Sequence, residues 1–205
     1  MKFRWMTPRP LKVIEDAART CYKSEKKIGR GTDKKLIKTL ITLGHMAMLE
    51  HASASYRVIC SRGVTHEIVR HRLFSYAQES TRYCNYKSGV QFIRPWWMTD
   101  VPCKEYNTWK SIQGPESQKS FRYLRSYYSD ELTYLESLTL GDTPQEARDI
   151  LPNALKTEIV ITGNFREWLH FFSLRCAKTA HPDMQIVANM IKNDLAERVP
   201  VIFNE

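Results

Sequence analysis

Apolar residues along this chain change their spacing several times, and each change marks an element. From Leu11 to Cys21 they recur at helical spacing, after a break at Thr7-Pro8-Arg9-Pro10. Lys23 to Gly31 is charged and carries glycine, which predicts a loop. Leu36, Ile37, Leu40, Ile41, Leu43 and Ala47 form one stripe, predicting a helix from Lys34 to about Glu50 capped by Thr32 or Asp33. Ser53 to Cys60 alternates, so Ala54, Tyr56, Val58 and Cys60 share one face of a strand. Ser61 opens a short helix that turns Val64, Ile68 and Val69 inward. Leu73 to Tyr86 has no clean period, Gln91 to Pro95 reads as a short strand ended by proline, and Trp96 to Gly114 is irregular.

In the second half, Pro115 starts a long helix to about Leu138, and Pro144 is the first residue of another that begins near Thr143. Leu155 to Gly163 reads as a strand. Asn164 caps a helix carrying Trp168, Leu169, Phe172 and Leu174, and Asp183 caps a final helix that ends before Pro200. No internal repeat, low-complexity tract or linker interrupts the series. The whole chain, residues 1–205, reads as one α+β domain.

Composition narrows the class. A hydrophobic fraction of 42% and a charged fraction of 26% are those of an ordinary soluble globular protein. Five Trp, ten Tyr and eight Phe supply enough apolar surface to exclude disorder as the main state. No apolar run is long enough to span a bilayer, and Met1-Lys2-Phe3-Arg4-Trp5 lacks the apolar stretch of a secretory signal, so a cytosolic address is expected. Cys21, Cys60, Cys84, Cys103 and Cys176 are odd in number and scattered, which predicts reduced thiols and no metal site. The net charge of +9 favours an anionic partner, either nucleic acid or a small phosphorylated ligand, without choosing between them.

The densest polar stretch is Arg70-His71-Arg72-Leu73-Phe74-Ser75-Tyr76-Ala77-Gln78-Glu79-Ser80-Thr81-Arg82-Tyr83. Arginine forks bind phosphate bidentately and stay charged at any working pH, and hydroxyls and backbone N–H groups of a tight loop add donors to the same anion. The stretch is not periodic, so its side chains are free to converge on a site. On composition alone a solvated face or a nucleic-acid patch is favoured over an active site.

The spacing is more specific than the composition. Arg70-His71-Arg72, seven residues, Ser80, one residue and Arg82 resembles the signature of flavin-dependent thymidylate synthases. Ala18-Arg19-Thr20-Cys21-Tyr22, His45, Glu50-His51, Arg148 before Ile150-Leu151-Pro152, Asn164, Arg166, Leu174-Arg175 and Gln185 follow in family order, so the resemblance covers nearly the whole chain. It implies a single α+β domain with a central, mostly antiparallel sheet flanked by helices, assembling as a homotetramer whose active sites are each built from several subunits. It implies FAD held in an extended pose without a Rossmann unit, and the chain indeed has no Gly-x-Gly-x-x-Gly after a strand. Methylenetetrahydrofolate would donate the carbon and NADPH would reduce the flavin, with dUMP as substrate and dTMP and tetrahydrofolate as products. No membrane, nucleic-acid or metal partner is expected.

Residue roles follow from the same resemblance. Arg175 would stabilise negative charge growing on the pyrimidine, with Ser80 and His45 also at the reacting centre. Arg70, Ser80, Thr81, Arg82 and Arg148 would hold dUMP, lined by Glu67, Gln78 and Glu79. Arg70, His71, Arg72, Asn164, Arg166 and His170 would contact FAD, with Ala47 and Gln78 beside it. Cys84 invites a thiolate mechanism, but a reactive thiolate needs an electropositive setting and the family does not use this position. His51 with Glu50 reads as a helix-end cap, His66 as surface, His181 as a turn residue, and Trp168, Phe171 and Phe172 as core, with a face towards the flavin as the alternative for Phe171. Ala47, Glu67, His170 and His181 depart from the family's common Ser or Thr, Gln, Asn and Gln. They leave open a flavin-dependent pyrimidine-nucleotide hydroxymethylase, and a basic nucleic-acid-binding module is the alternative from a different class.

Overall fold

The computed structural model describes residues 1–105, 112 and 118–204. Four strands, β1 (Lys2–Met6), β2 (Ser53–Ser61), β3 (Ser75–Gln78) and β4 (Lys156–Asn164), form one sheet in the order β1-β2-β4-β3. Strand β1 runs antiparallel to β2, pairing Phe3 with Tyr56 and Met6 with Ala54 across an irregularity between Phe3 and Trp5. β4 is antiparallel to β2, as bonds from Arg62 N–H to the Leu155 carbonyl and from Phe165 N–H to the Ala52 carbonyl show. Glu79 N–H on the Glu158 carbonyl ties the end of β3 to β4. The helices are α1 (Pro10–Cys21), α2 (Thr32–Thr42), α3 (Arg62–Ile68), α4 (Lys119–Leu140), α5 (Pro144–Ala147), α6 (Phe165–Arg175), α7 (Pro182–Arg198) and α8 (Pro200–Phe203). The chain divides into two compact units.

The first unit comprises residues 1–58, 67–77 and 159–205. Its core is aromatic. Trp168 of α6 is fully buried, with ring centroids 4.5 Å from Phe74 and 5.5 Å from Tyr56, and its indole N–H donates to the Ala54 carbonyl at 3.2 Å. Burying a ring of this size stabilises by about 2–3 kcal/mol, and the bonded N–H keeps the polar atom from offsetting it. Tyr56 donates to Asp194 at 2.6 Å, Asp194 also holds Arg198, and Arg198 lies 3.6 Å over the Phe3 ring. This chain of contacts ties α7 to β2 and β1.

The second unit comprises residues 59–66 and 78–158. Val90, Tyr134, Ala147 and Leu155 form its buried cluster, with Tyr86, Phe92, Leu135, Leu138 and Leu151 packed against them. Thr143 and Glu146 cap α5 reciprocally, as Pro144 in the first helical position foreshadows.

Several boundaries differ from the sequence reading. The helix expected to reach Glu50 stops at Thr42, because Gly44 turns into the left-handed region at φ 72, and a separate 3-10 turn covers Met46–His51. Leu43 and Ala47 are therefore exposed and Leu49 is buried in their place. Gly31, not Thr32 or Asp33, precedes the first turn of α2. Val69 and Leu174 are exposed, since each lies at or past the end of its helix. His181 caps α7 through Nδ1, which accepts from Asp183 N–H at 3.2 Å, and Pro182 takes the first helical position. Strands β1 and β3 went unpredicted, being short and flanked by polar residues. Gln91 to Pro95 contributes only one bridge, Phe92 to Leu155. The expected helix start at Pro115 lies outside the described residues.

Candidate functional site

The irregular polar stretch begins where α3 unwinds. Arg70 N–H reaches back to the Glu67 carbonyl, His71 N–H to Ile68 and Phe74 N–H to His71, all three-residue bonds that tighten the chain into successive turns. The Tyr76 hydroxyl lies 2.7 Å from both the Ile68 and His71 carbonyls and pins that turn. The turn alternates exposure: His71 is buried, while Arg70 and Arg72 on either side are exposed. Three adjacent polar residues thus acquire two different environments.

Arg175, the last residue of α6, meets this turn within the first unit. Its Nε donates to His71 Nε2 at 2.9 Å, Nη1 to Glu67 Oε2 at 2.8 Å, and Nη2 to the Glu67 carbonyl at 3.1 Å. Because His71 Nε2 accepts, the proton of a neutral ring sits on Nδ1, which lies 3.6 Å from Glu167 Oε1. Burial, then the Arg175 guanidinium and His170, push His71 down to about 4, so the ring is neutral at physiological pH. Burial pushes Glu167 above the usual carboxylate range, an effect that His170 partly offsets. Phe171 and Phe74 enclose the His71 ring at centroid distances of 5.0 and 6.1 Å.

Other predicted residues of this unit sit apart from that cluster or at its edge. His170 is exposed, its ring 5.9 Å from His71. Arg166 pairs with Glu50 at 2.6 Å, so Glu50 holds an arginine as well as ending its 3-10 turn. The Asn164 side chain accepts from Glu167 N–H at 2.8 Å and caps α6. His45 precedes the 3-10 turn that contains Ala47, and both are exposed.

The second unit gathers the remaining predicted residues. Ser80 starts a turn in which its carbonyl accepts from Tyr83 and Cys84, and its Oγ accepts from Arg82 N–H at 3.4 Å. Thr81 is buried and receives Arg148 Nη1 at 3.4 Å. Arg82 Nε donates to Gln145 Oε1 at 2.7 Å. Gln78 donates to Thr65 and Thr157, while Glu79 accepts from the Tyr86 hydroxyl at 2.8 Å and faces Lys156 at 3.7 Å. Arg82 and Arg148, sixty-six positions apart, therefore flank the Ser80-Thr81 turn; Arg82 is fixed by a neutral amide, while Arg148 also lies 3.9 Å from the exposed carboxylate of its neighbour Asp149, and both guanidinium forks suit a phosphate.

Sequence reasoning missed Glu167, Gln145, Thr65, Thr157, Tyr86 and Lys156 as partners of site residues. Glu167 had a signal: it stands four residues before Phe171 on the buried side of α6. The others are brought in by strand pairing and loop packing, which no local pattern encodes. Cys84 is half-buried and Cys21 exposed, and all five cysteines are free thiols. Trp168, Phe171 and Phe172 are core and His66 is exposed, as expected. Among the described residues no group of three or more His, Cys, Asp or Glu could hold a metal ion, and no helix is long and apolar enough to cross a membrane.

Comparison with known proteins agrees with the motif. Residues 4–201 match the family model described as thymidylate synthase complementing protein. A flavin-dependent thymidylate synthase of Mycobacteroides abscessus is 34% identical, covering 94% of this chain and 78% of its own. Those of Mycobacterium sp. (strain KMS) and Mycobacterium tuberculosis are 32% and 33% identical, each over 93% of this chain and covered to 78% and 77% of their own lengths. A family match across almost the whole length, with the signature arginines in place, leaves one conclusion: the chain belongs to the flavin-dependent thymidylate synthases.

Proposed function

We propose that the chain converts dUMP to dTMP by reductive methylation, with methylenetetrahydrofolate as carbon donor, FAD as flavin and NADPH as reductant, in a cytoplasmic homotetramer with shared active sites. The observation that carries this reading is the family match over residues 4–201, which spans every residue assigned a role.

Arg70 and Arg72 are exposed and Arg166 is half-exposed against Glu50, so their guanidinium forks fit a diphosphate such as that of FAD. His71, Asn164 and His170 would complete that group, with Ala47 and Gln78 beside it. When bound, FAD supplies the hydride of the reduction. Ser80, Thr81, Arg82 and Arg148 are assigned to dUMP, with Arg70 adding charge and Glu67, Gln78 and Glu79 lining the ligand. His45 is assigned a role beside the flavin or folate ring. Arg175 is assigned to the pyrimidine: three of its five N–H groups are engaged by Glu67 and His71, which leaves two for uracil N3 and its neighbouring carbonyl oxygen. A donor already fixed in place needs no reorganisation as negative charge grows on the ring.

The test is an absorbance spectrum of protein incubated with FAD and desalted, then treated anaerobically with NADPH. Retained flavin that bleaches, and reoxidises only when dUMP and methylenetetrahydrofolate are added, is the expected result. Product mass then separates a methyl from a hydroxymethyl group. Protein that never retains flavin, yet binds nucleic acid in a salt-sensitive way, would overturn the reading.

A further inference from the structure

Arg175 is paired with a full negative charge. Glu67 grips it twice, with its carboxylate on Nη1 at 2.8 Å and its main-chain carbonyl on Nη2 at 3.1 Å. The two side chains are largely withdrawn from water, at 18% and 27% exposure, so solvent screens the pair only in part. The third partner, His71, is neutral and adds no compensating charge. The next titratable groups are His170 and Glu167, which face the His71 ring, and Tyr76, whose hydroxyl lies 2.7 Å from the His71 carbonyl and which the Arg175 charge also reaches. The field that Arg175 presents to an anion is therefore that of an ion pair, far weaker than that of a lone guanidinium.

Resting on the assignment of Arg175 to the pyrimidine, we propose that Glu67 is a positioning residue that fixes the Arg175 guanidinium and sets how strongly it stabilises negative charge on the bound pyrimidine. The carboxylate and the carbonyl hold the guanidinium plane at two points, and the carboxylate's charge subtracts from its attraction for an ionised ring. Glutamine at position 67 keeps both points of attachment, because its amide oxygen accepts the Nη1 bond, and removes only the charge. Aspartate keeps the charge and withdraws it by one methylene.

The experiment is a fluorine NMR pH titration of 5-fluoro-dUMP bound to the FAD-loaded protein, since the fluorine resonance reports loss of the N3 proton. In Glu67→Gln the bound ligand should lose that proton at least about one pH unit lower than in wild type, the scale of a like charge removed from a neighbouring site. Glu67→Asp should titrate close to wild type, which separates charge from packing. Glu67→Ala is the second charge-free variant and must move the titration in the same direction should the glutamine variant not fold. Identical titration in wild type and the charge-free variants overturns the proposal while leaving nucleotide binding intact. Absence of a bound resonance in wild type removes the dUMP assignment itself, and the role of Glu67 with it.

Discussion

Arg175 and His71 illustrate how much a neighbour decides. Truncating the arginine removes a cation bonded to both Glu67 and His71, and on the proposed mechanism it removes the donor aimed at the pyrimidine. Arg175→Ala should lower kcat by about 10²–10³-fold, the usual effect of losing one such donor, while the protein stays folded and keeps its flavin. Steady-state rates within a few fold of wild type would end that role. His71 carries a pH prediction of its own. Its folded value of about 4 lies below the ordinary 6.5, so the unfolded chain takes up the proton first. Stability from this residue is complete above pH 6.5 and is lost as pH falls towards 4, by about 3 kcal/mol in all. Glu167, raised by burial, works in the opposite sense, so the quantity to read is the difference between proteins. Urea denaturation at pH 7, 5.5 and 4.5 should show wild type losing this increment relative to His71→Gln; parallel curves would mean the imidazole is not held neutral.

At the scale of elements, the site depends on where helices stop and how strands are spaced. α6 delivers Arg175 from its last position because Asn164 caps its start and fixes its phase. β4 meets Phe74 at Gly163, where an added Cβ would lie 2.1 Å from two ring carbons of a buried phenylalanine. Gly163→Ala should therefore cost about 1–3 kcal/mol, as overpacking does, and lower the Tm by about 5 °C. A Tm unchanged by the substitution would show that the ring moves aside freely. These elements were partly legible beforehand. The Asn164 cap, the alternation of Ser53 to Cys60 and the proline at the start of α5 are local signals, and local physics honours them. The early end of α2 was missed because a single glycine at φ 72 overrides an apolar stripe that continues past it. β3 was missed because its short, half-exposed residues 75–78 owe their extended form to β4.

At the scale of the molecule, charge and ligand matter together. A chain of net charge +9 repels itself, and on the proposed function binding the anions FAD and dUMP would relieve that repulsion as well as add contacts. FAD at about 100 times its Kd should stabilise the folded protein by about 2.7 kcal/mol and raise the Tm by about 5 °C or more. Differential scanning fluorimetry with and without FAD reads this directly, and no shift at saturating flavin would count against flavin binding by the folded chain.

The sequence by itself determined the family, through Arg70-His71-Arg72, Ser80 and Arg82 at fixed spacing, and it determined most helices and the two long strands, because caps, prolines and apolar periods act over a few residues. It also marked Arg175 and Arg148 as candidate site residues by their order in the chain. Only the tertiary structure decided that His71 is buried and neutral while its arginine neighbours are exposed, that Glu167 stands behind it, and that Arg175 is bound by Glu67. Those facts depend on residues about a hundred positions apart meeting at 3 to 4 Å, where desolvation and charge set protonation and field strength, and no local pattern carries that distance.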